Sequence, residues 1–201
     1  MCKRCKHETV AAPGLLQPLH IPNQAWKSVS MDFIKGLPKS EGKTCIFVVV
    51  DRFTKFAHFL GLSHPYITQE VAHIFLDQVV KLHGVPQTII SGRNKIFTSL
   101  LWQTLWKSLG GKLNLSTAYH PQSNGQTERV NQCFETYLRC LCLVHPGGWH
   151  KWLVVAQWWY NSSHHSATKQ SPFEALFGYK PPLLLALSGF PNVATIEAHL
   201  Q

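Results

Sequence analysis

The chain has 201 residues, which suits one domain with short appendages and a sizeable core. With 45% apolar, 11% aromatic and 14% charged residues it is neither disordered nor, for want of a long apolar run, membrane-spanning. Lys and Arg number 19 against 10 Asp and Glu; the net charge of +9 points to a polyanionic partner, nucleic acid first, although a soluble protein that is merely basic has the same balance.

Residues 1–30 are loop-rich, with Pro13, Pro18 and Pro22 breaking any period. No apolar stretch of the secretory type follows Met1, so the six cysteines are expected reduced, most of them as small buried hydrophobes. "VSMDFIKGL" reads as a short strand around Asp32, and "TCIFVVVDRFTKFAHFLGL" as two strands turning near Asp51–Lys55. From Thr68, the spacing of Val71, Ile74, Phe75, Val79 and Leu82 predicts a helix with Thr68 as N-cap and Gly84 with Pro86 as the stop. "TIISGRNKIF" is an apolar strand running into a polar turn. A helix follows near "SLLWQTLWKSLGG", then a short strand at 112–116.

The loop "TAYHPQSNG" leads into a long helix whose apolar stripe is Val130, Cys133, Phe134, Tyr137, Leu138 and Leu141. Glu128, Asn131, Gln132 and Glu135 are placed on its polar side. A Trp-rich helix near 149–162 comes next. "SPFEALFG" predicts a short one with Ser171 as N-cap, Pro172 at its first position, Glu174 closing a capping box and Gly178 as C-cap. The order of elements implies an α/β fold, a mixed sheet covered by helices.

Several chemical motifs fail on inspection. "GLPKSEGKT" has five residues rather than four between its glycines and leads into a strand, so it builds no phosphate loop. Cys2 and Cys5 form a C-x-x-C pair, half of a tetrahedral zinc site, and a complete zinc site is not expected within this chain. H-E-x-x-H and G-x-S-x-G are absent. The three aspartates are Asp32, Asp51 and Asp77. Asp32 lies between Met31 and Phe33, where an unpaired charge is costly; it is either a strand-edge residue facing water or a metal ligand projecting from the sheet. Asp51 suits a turn, Asp77 a solvated helix position, and Glu128 the first turns of a helix, where the dipole favours negative charge.

"SMDFIKGLPKSEGKTCIFVVVDRFTKFAHF", "LHGVPQTIISGRNKIFTSLLWQTLWKSLG", "LSTAYHPQSNGQTERVNQ" and "WLVVAQWWYNSSHHSATKQSPFEALFGYKP" together resemble the integrase catalytic core of gypsy-class long-terminal-repeat retrotransposons, with the motifs in the same order. The resemblance implies an RNase H-like fold, a mixed five-stranded sheet flanked by helices, over residues 26–182. Residues 1–25 would be the remnant of a zinc-binding module and linker, and 183–201 a C-terminal tail. It also implies a retroviral-type enzyme that joins DNA ends to target DNA, a triad of two Asp and one Glu holding two Mg²⁺ or Mn²⁺ ions, DNA and a second copy of the chain as partners, no membrane, and nuclear localisation. Hard cations prefer carboxylate oxygens, and two of them can clamp both oxygens of a phosphoryl transfer.

Carried over residue by residue, the first acid falls on Asp32 and the third on Glu128. The second falls on Gly92, with 35 residues between it and Glu128, so the register is intact and the ligand is missing. Asn94 and Asn124 also stand where the family usually carries an acid. The expectation is therefore a core of integrase ancestry that binds nucleic acid without catalysis. The alternatives are an active polynucleotidyl transferase with Asn94 as substitute ligand, and a domesticated DNA-binding module. Tyr119, His120, Gln122, Asn124, Gln126 and Arg129 are the expected DNA contacts around the site.

Overall fold

The computed structural model describes residues 22–115 and 125–182; the side chains of Leu115, Gly125 and Gln126 lie outside that description. Cys2, Cys5 and the tail from 183 lie outside it as well. Five strands, β1 (Ser28–Ile34), β2 (Cys45–Asp51), β3 (Ala57–Leu62), β4 (Thr88–Ser91) and β5 (Lys112–Leu115), form one sheet in the order β3-β2-β1-β4-β5. The β1–β2 and β2–β3 pairs are antiparallel, and the β1–β4 and β4–β5 pairs are parallel. This is the mixed five-stranded sheet implied by the sequence.

Alternation along β1 sorts its residues between two cores. Val29, Met31 and Phe33 join one, where Phe75, Trp102 and Trp106 pack from the helices α1 (Thr68–Phe75) and α3 (Leu100–Ser108). Ile34 joins the other with Ile46, Val48, Val50 and Phe59, under α4 (Gly125–Leu141) and α5 (Trp149–Ser162). Phe134 of α4 stacks on Phe59 with ring centroids 3.5 Å apart. Ser30 and Asp32, two residues apart on β1, therefore face the α4 side.

Three local expectations need correction. The cap of α1 is Ile67 rather than Thr68, and Glu70 supplies the stabilising contact by accepting from the Ile67 N–H at 3.2 Å. After Phe75 the helix widens into a π-turn, Leu76–Val80, before the short α2 (Lys81–His83). The wider turn shifts the helical phase, so Val79 stays buried while Leu82 swings out to 63% exposure. On α4, Cys133 is exposed and Asn131 buried, the reverse of the expected stripe.

Other ends match the sequence. Gly84 follows α2 with φ 81°, and Ser99 Oγ caps α3 by accepting from the Trp102 N–H at 3.3 Å. The last helix, α6 (Pro172–Phe177), starts at Ser171, whose Oγ accepts from the Glu174 N–H at 3.1 Å, and ends on Gly178 in the left-handed region.

The β2–β3 turn is built around Asp51, which is fully buried. Its carboxylate accepts from the N–H groups of Trp26 (3.0 Å), Phe53 (3.3 Å) and Thr54 (3.0 Å), and from the Thr54 hydroxyl at 2.6 Å. Trp26 in turn stacks on His83 at 3.7 Å, and the Nε2 atoms of His83 and His58 meet at 2.9 Å. Asp77, the third aspartate, is half exposed and lies 3.6 Å from Lys81 Nζ, the solvated helix position expected of it.

Candidate active site and nucleic-acid interface

Asp32 sits on the central strand of the sheet, between β2 and β4, so it is not the strand-edge residue that one reading of the sequence allowed. It is half-buried, and its Oδ2 accepts from Asn131 Nδ2 at 3.0 Å. That contact pins β1 to α4. Glu128 lies one turn earlier on α4, exposed to solvent. Partial burial, reinforced by the negative charge of Asp32, raises the Glu128 carboxyl above its usual range. The two acids thus sense one another, as carboxylates that share a cation would.

The parallel register of β1 and β4 locates the third position. Val29 pairs with Ile89, Ser30 with Ile90 and Met31 with Ser91. The ladder ends there: Asp32 is the residue after Met31, and Gly92 the residue after Ser91. The only oxygen of Gly92 is the backbone carbonyl. Asn94, two residues on, does not turn its amide toward the pair: its Oδ1 accepts from the Ile96 N–H at 3.1 Å, and its carbonyl accepts from the Thr98 N–H at 3.0 Å. The side chain closes its own turn.

Around the pair the floor is polar. Thr127 Oγ1, Asn131 Oδ1 and Ser30 Oγ are buried and have no hydrogen-bond partner among the described residues. Buried polar atoms of this kind ordinarily bind water or a ligand. Among the described residues, however, no three His, Cys, Asp or Glu side chains converge as metal ligands. Two carboxylates with one amide oxygen tied up elsewhere do not fit the two-ion clamp that the resemblance implies, because hard cations need several charged oxygens to replace their waters.

Of the residues expected to touch DNA, Arg129 is exposed on α4 next to Glu128. Gln126 lies in the first turn of α4, and its side chain lies outside the described residues, as do Tyr119, His120, Gln122 and Asn124 entirely. Sequence reasoning missed Asn131 as the partner of Asp32. The signal was present: four residues after Thr127, it lies on the same arc of the helix as Val130 and Phe134, so a polar residue there had to be buried against the sheet. No helix among the described residues is long and apolar enough to cross a membrane.

Comparison with known proteins agrees with this geometry. The family model described as integrase core domain matches residues 20–121. The Transposon Tf2-3 and Tf2-4 polyproteins of Schizosaccharomyces pombe (strain 972 / ATCC 24843) are each 40% identical over 170 residues, covering 85% of this chain. The chain spans only 13% of their length. Among solved structures, the simian T-cell lymphotropic virus intasome in complex with PP2A regulatory subunit B56 gamma superimposes with a TM-score of 0.71 at 18% identity, over 95% of this chain and 69% of the other. The HTLV-2 integrase catalytic core domain in complex with magnesium, in its trimeric form, gives 0.60 at 20% identity over 75% of this chain and 95% of the other. These likenesses show an RNase H-like fold, and with the family match over more than half its length, the chain belongs to the integrase core domain family.

Proposed function

We propose that this chain is the integrase core of a retrotransposon polyprotein, spanning 26–182, that binds DNA but does not catalyse strand transfer. The observation that carries the reading is Gly92 directly after Ser91, the β4 residue paired with Met31, where the family carries an acid, with the Asn94 Oδ1 accepting from the Ile96 N–H. Integrase cores work with divalent metal, and one similar structure is a magnesium complex. Asp32 and Glu128 are the residues that would meet such an ion here. Removing one member of a group that acts as a unit abolishes most of its catalysis. Self-association and a nuclear site of action follow the family expectation.

The test is a strand-transfer assay in Mg²⁺ and in Mn²⁺ on the unaltered chain and on Gly92→Asp. No product from the former and product from the latter support the proposal. Product from the unaltered chain that disappears in Glu128→Gln would overturn it.

A further inference from the structure

A second basic feature lies beside the acid pair. A cleft of about 840 Å³ opens between the β2–β3 turn, the first turns of α4, the end of α5 and the loop joining α5 to α6. Lys55, Arg129, His164 and His165 line it, and among the described residues no carboxylate does. The acid of the adjoining turn, Asp51, is turned inward and accepts four hydrogen bonds, and its charge acts on Lys55 from that buried position. Three of these groups act on the fourth: burial first, then Lys55, Arg129 and His164, push His165 below the usual histidine range, which leaves it mostly neutral at pH 7. Lys55 is held in place by its own hydrogen bond to the Arg52 carbonyl at 2.6 Å, and the Tyr160 hydroxyl donates to the Lys55 carbonyl at 3.3 Å.

Lys55 and Arg129 bring positive charge to one cleft, and the two histidines add hydrogen-bonding nitrogens beside them, a set that favours an anion. The cleft is open to solvent rather than a closed anion hole. It also adjoins the site: Arg129 follows Glu128 directly. Along the sheet, Asp51 pairs with Val29, three residues from Asp32, which at about 3.3 Å per residue puts the turn roughly 10 Å from the acid pair. A chain of phosphates running past Glu128 would reach it.

We propose that this cleft is a track for the phosphodiester backbone of DNA, with Lys55, His164 and His165 joining Arg129 as phosphate contacts. The proposal rests on the DNA-binding reading above and adds a surface to it. The contacts are to phosphate, so they position a strand without reading its bases.

The test is fluorescence anisotropy of the full chain with a labelled DNA duplex across a salt series, with folding checked by circular dichroism. His164→Glu and Arg129→Glu are expected to weaken binding about tenfold each and to lower the salt slope by about one. Lys107→Glu, the same charge change as Arg129→Glu at an exposed position on α3, is the control and should leave the slope nearly unchanged. A second readout needs no substitution: Cys133 is exposed and lines the cleft, so bound DNA should slow its alkylation. Equal weakening by all three variants, or alkylation of Cys133 unaffected by saturating DNA, would overturn the track and leave DNA binding standing. Failure of the unaltered chain to bind DNA at any salt would overturn the DNA-binding reading and the track with it.

Discussion

Asp51 and Asp32 are aspartates on neighbouring strands of one sheet, and they are used in opposite ways. Asp51 is fully buried and accepts four hydrogen bonds, three of them from backbone N–H groups, so its charge is spent on holding a turn. Asp32 is half-buried, accepts from an amide of Asn131, and faces a second carboxylate that its own charge makes harder to ionise. A carboxylate serving the fold is saturated with backbone donors, whereas Asp32 is only half-buried and lies beside a second carboxylate. Residue type alone does not separate the two.

The sharpest way to break this contrast is to remove each carboxylate in turn. Asp51→Ala strands three backbone donors and is expected to cost about 3–5 kcal/mol in urea unfolding, whereas Asp32→Ala should cost under about 1 kcal/mol. Equal losses would show that the two acids play the same structural part.

Acid should also act on the two regions with opposite sign. Next to Asp51, burial holds His58 down to about 4, with the charge of His83 adding to it, and burial brings His83 to about 4 against the pull of Asp51. Their folded values lie below the unfolded one, so the unfolded chain takes up protons first. Stability is then lost as pH falls from about 6.5 toward 4, and His58 alone should account for about 2 kcal/mol between pH 7.5 and 5. Urea unfolding at the two pH values checks this, and in the double variant His58→Phe, His83→Phe the fall should shrink by at least half. An unchanged fall would assign the acid sensitivity elsewhere.

Glu128 has the reverse linkage. Its folded value is raised, so at neutral pH the charged form is disfavoured by folding, and the penalty vanishes as pH drops through the carboxylate range. In chelator at pH 7, Glu128→Gln is therefore expected to raise Tm by about 1–2 °C, a small gain because the site is exposed to solvent. At pH 4 the gain should be gone; a loss of Tm at pH 7 would argue that Glu128 is a structural group.

Most of the fold was legible because it depends on short-range patterns. Strand alternation, the Gly84 stop, the Ser171 cap and the Trp-rich α5 each follow from a few adjacent residues. What failed was phase and depth. The π-turn at Leu76–Val80 is set by packing against the sheet, so the outward swing of Leu82 could not be read from spacing. Asn131 and Cys133 exchanged faces for a related reason: composition marks one as polar and one as apolar, while the helix rotation that brings Asn131 to Asp32 is fixed by a residue almost a hundred positions away. The acids Asp32 and Glu128 were marked by the family resemblance of the motifs around them. Their meeting in space is a product of the β1–α4 packing. The basic cleft drew on three separate segments and left no local signal at all.

The β1–β4 ladder closes at Met31 and Ser91, one step short of Gly92, and β5 meets β4 at the same height. Nothing that the ladder needs is therefore contributed by a side chain at position 92. Natural selection for a well-folded chain is blind to that residue, and only selection for the reaction itself can see it. A lineage under pressure to keep the protein soluble, but not to move DNA, would preserve everything around this strand end and let the one position drift.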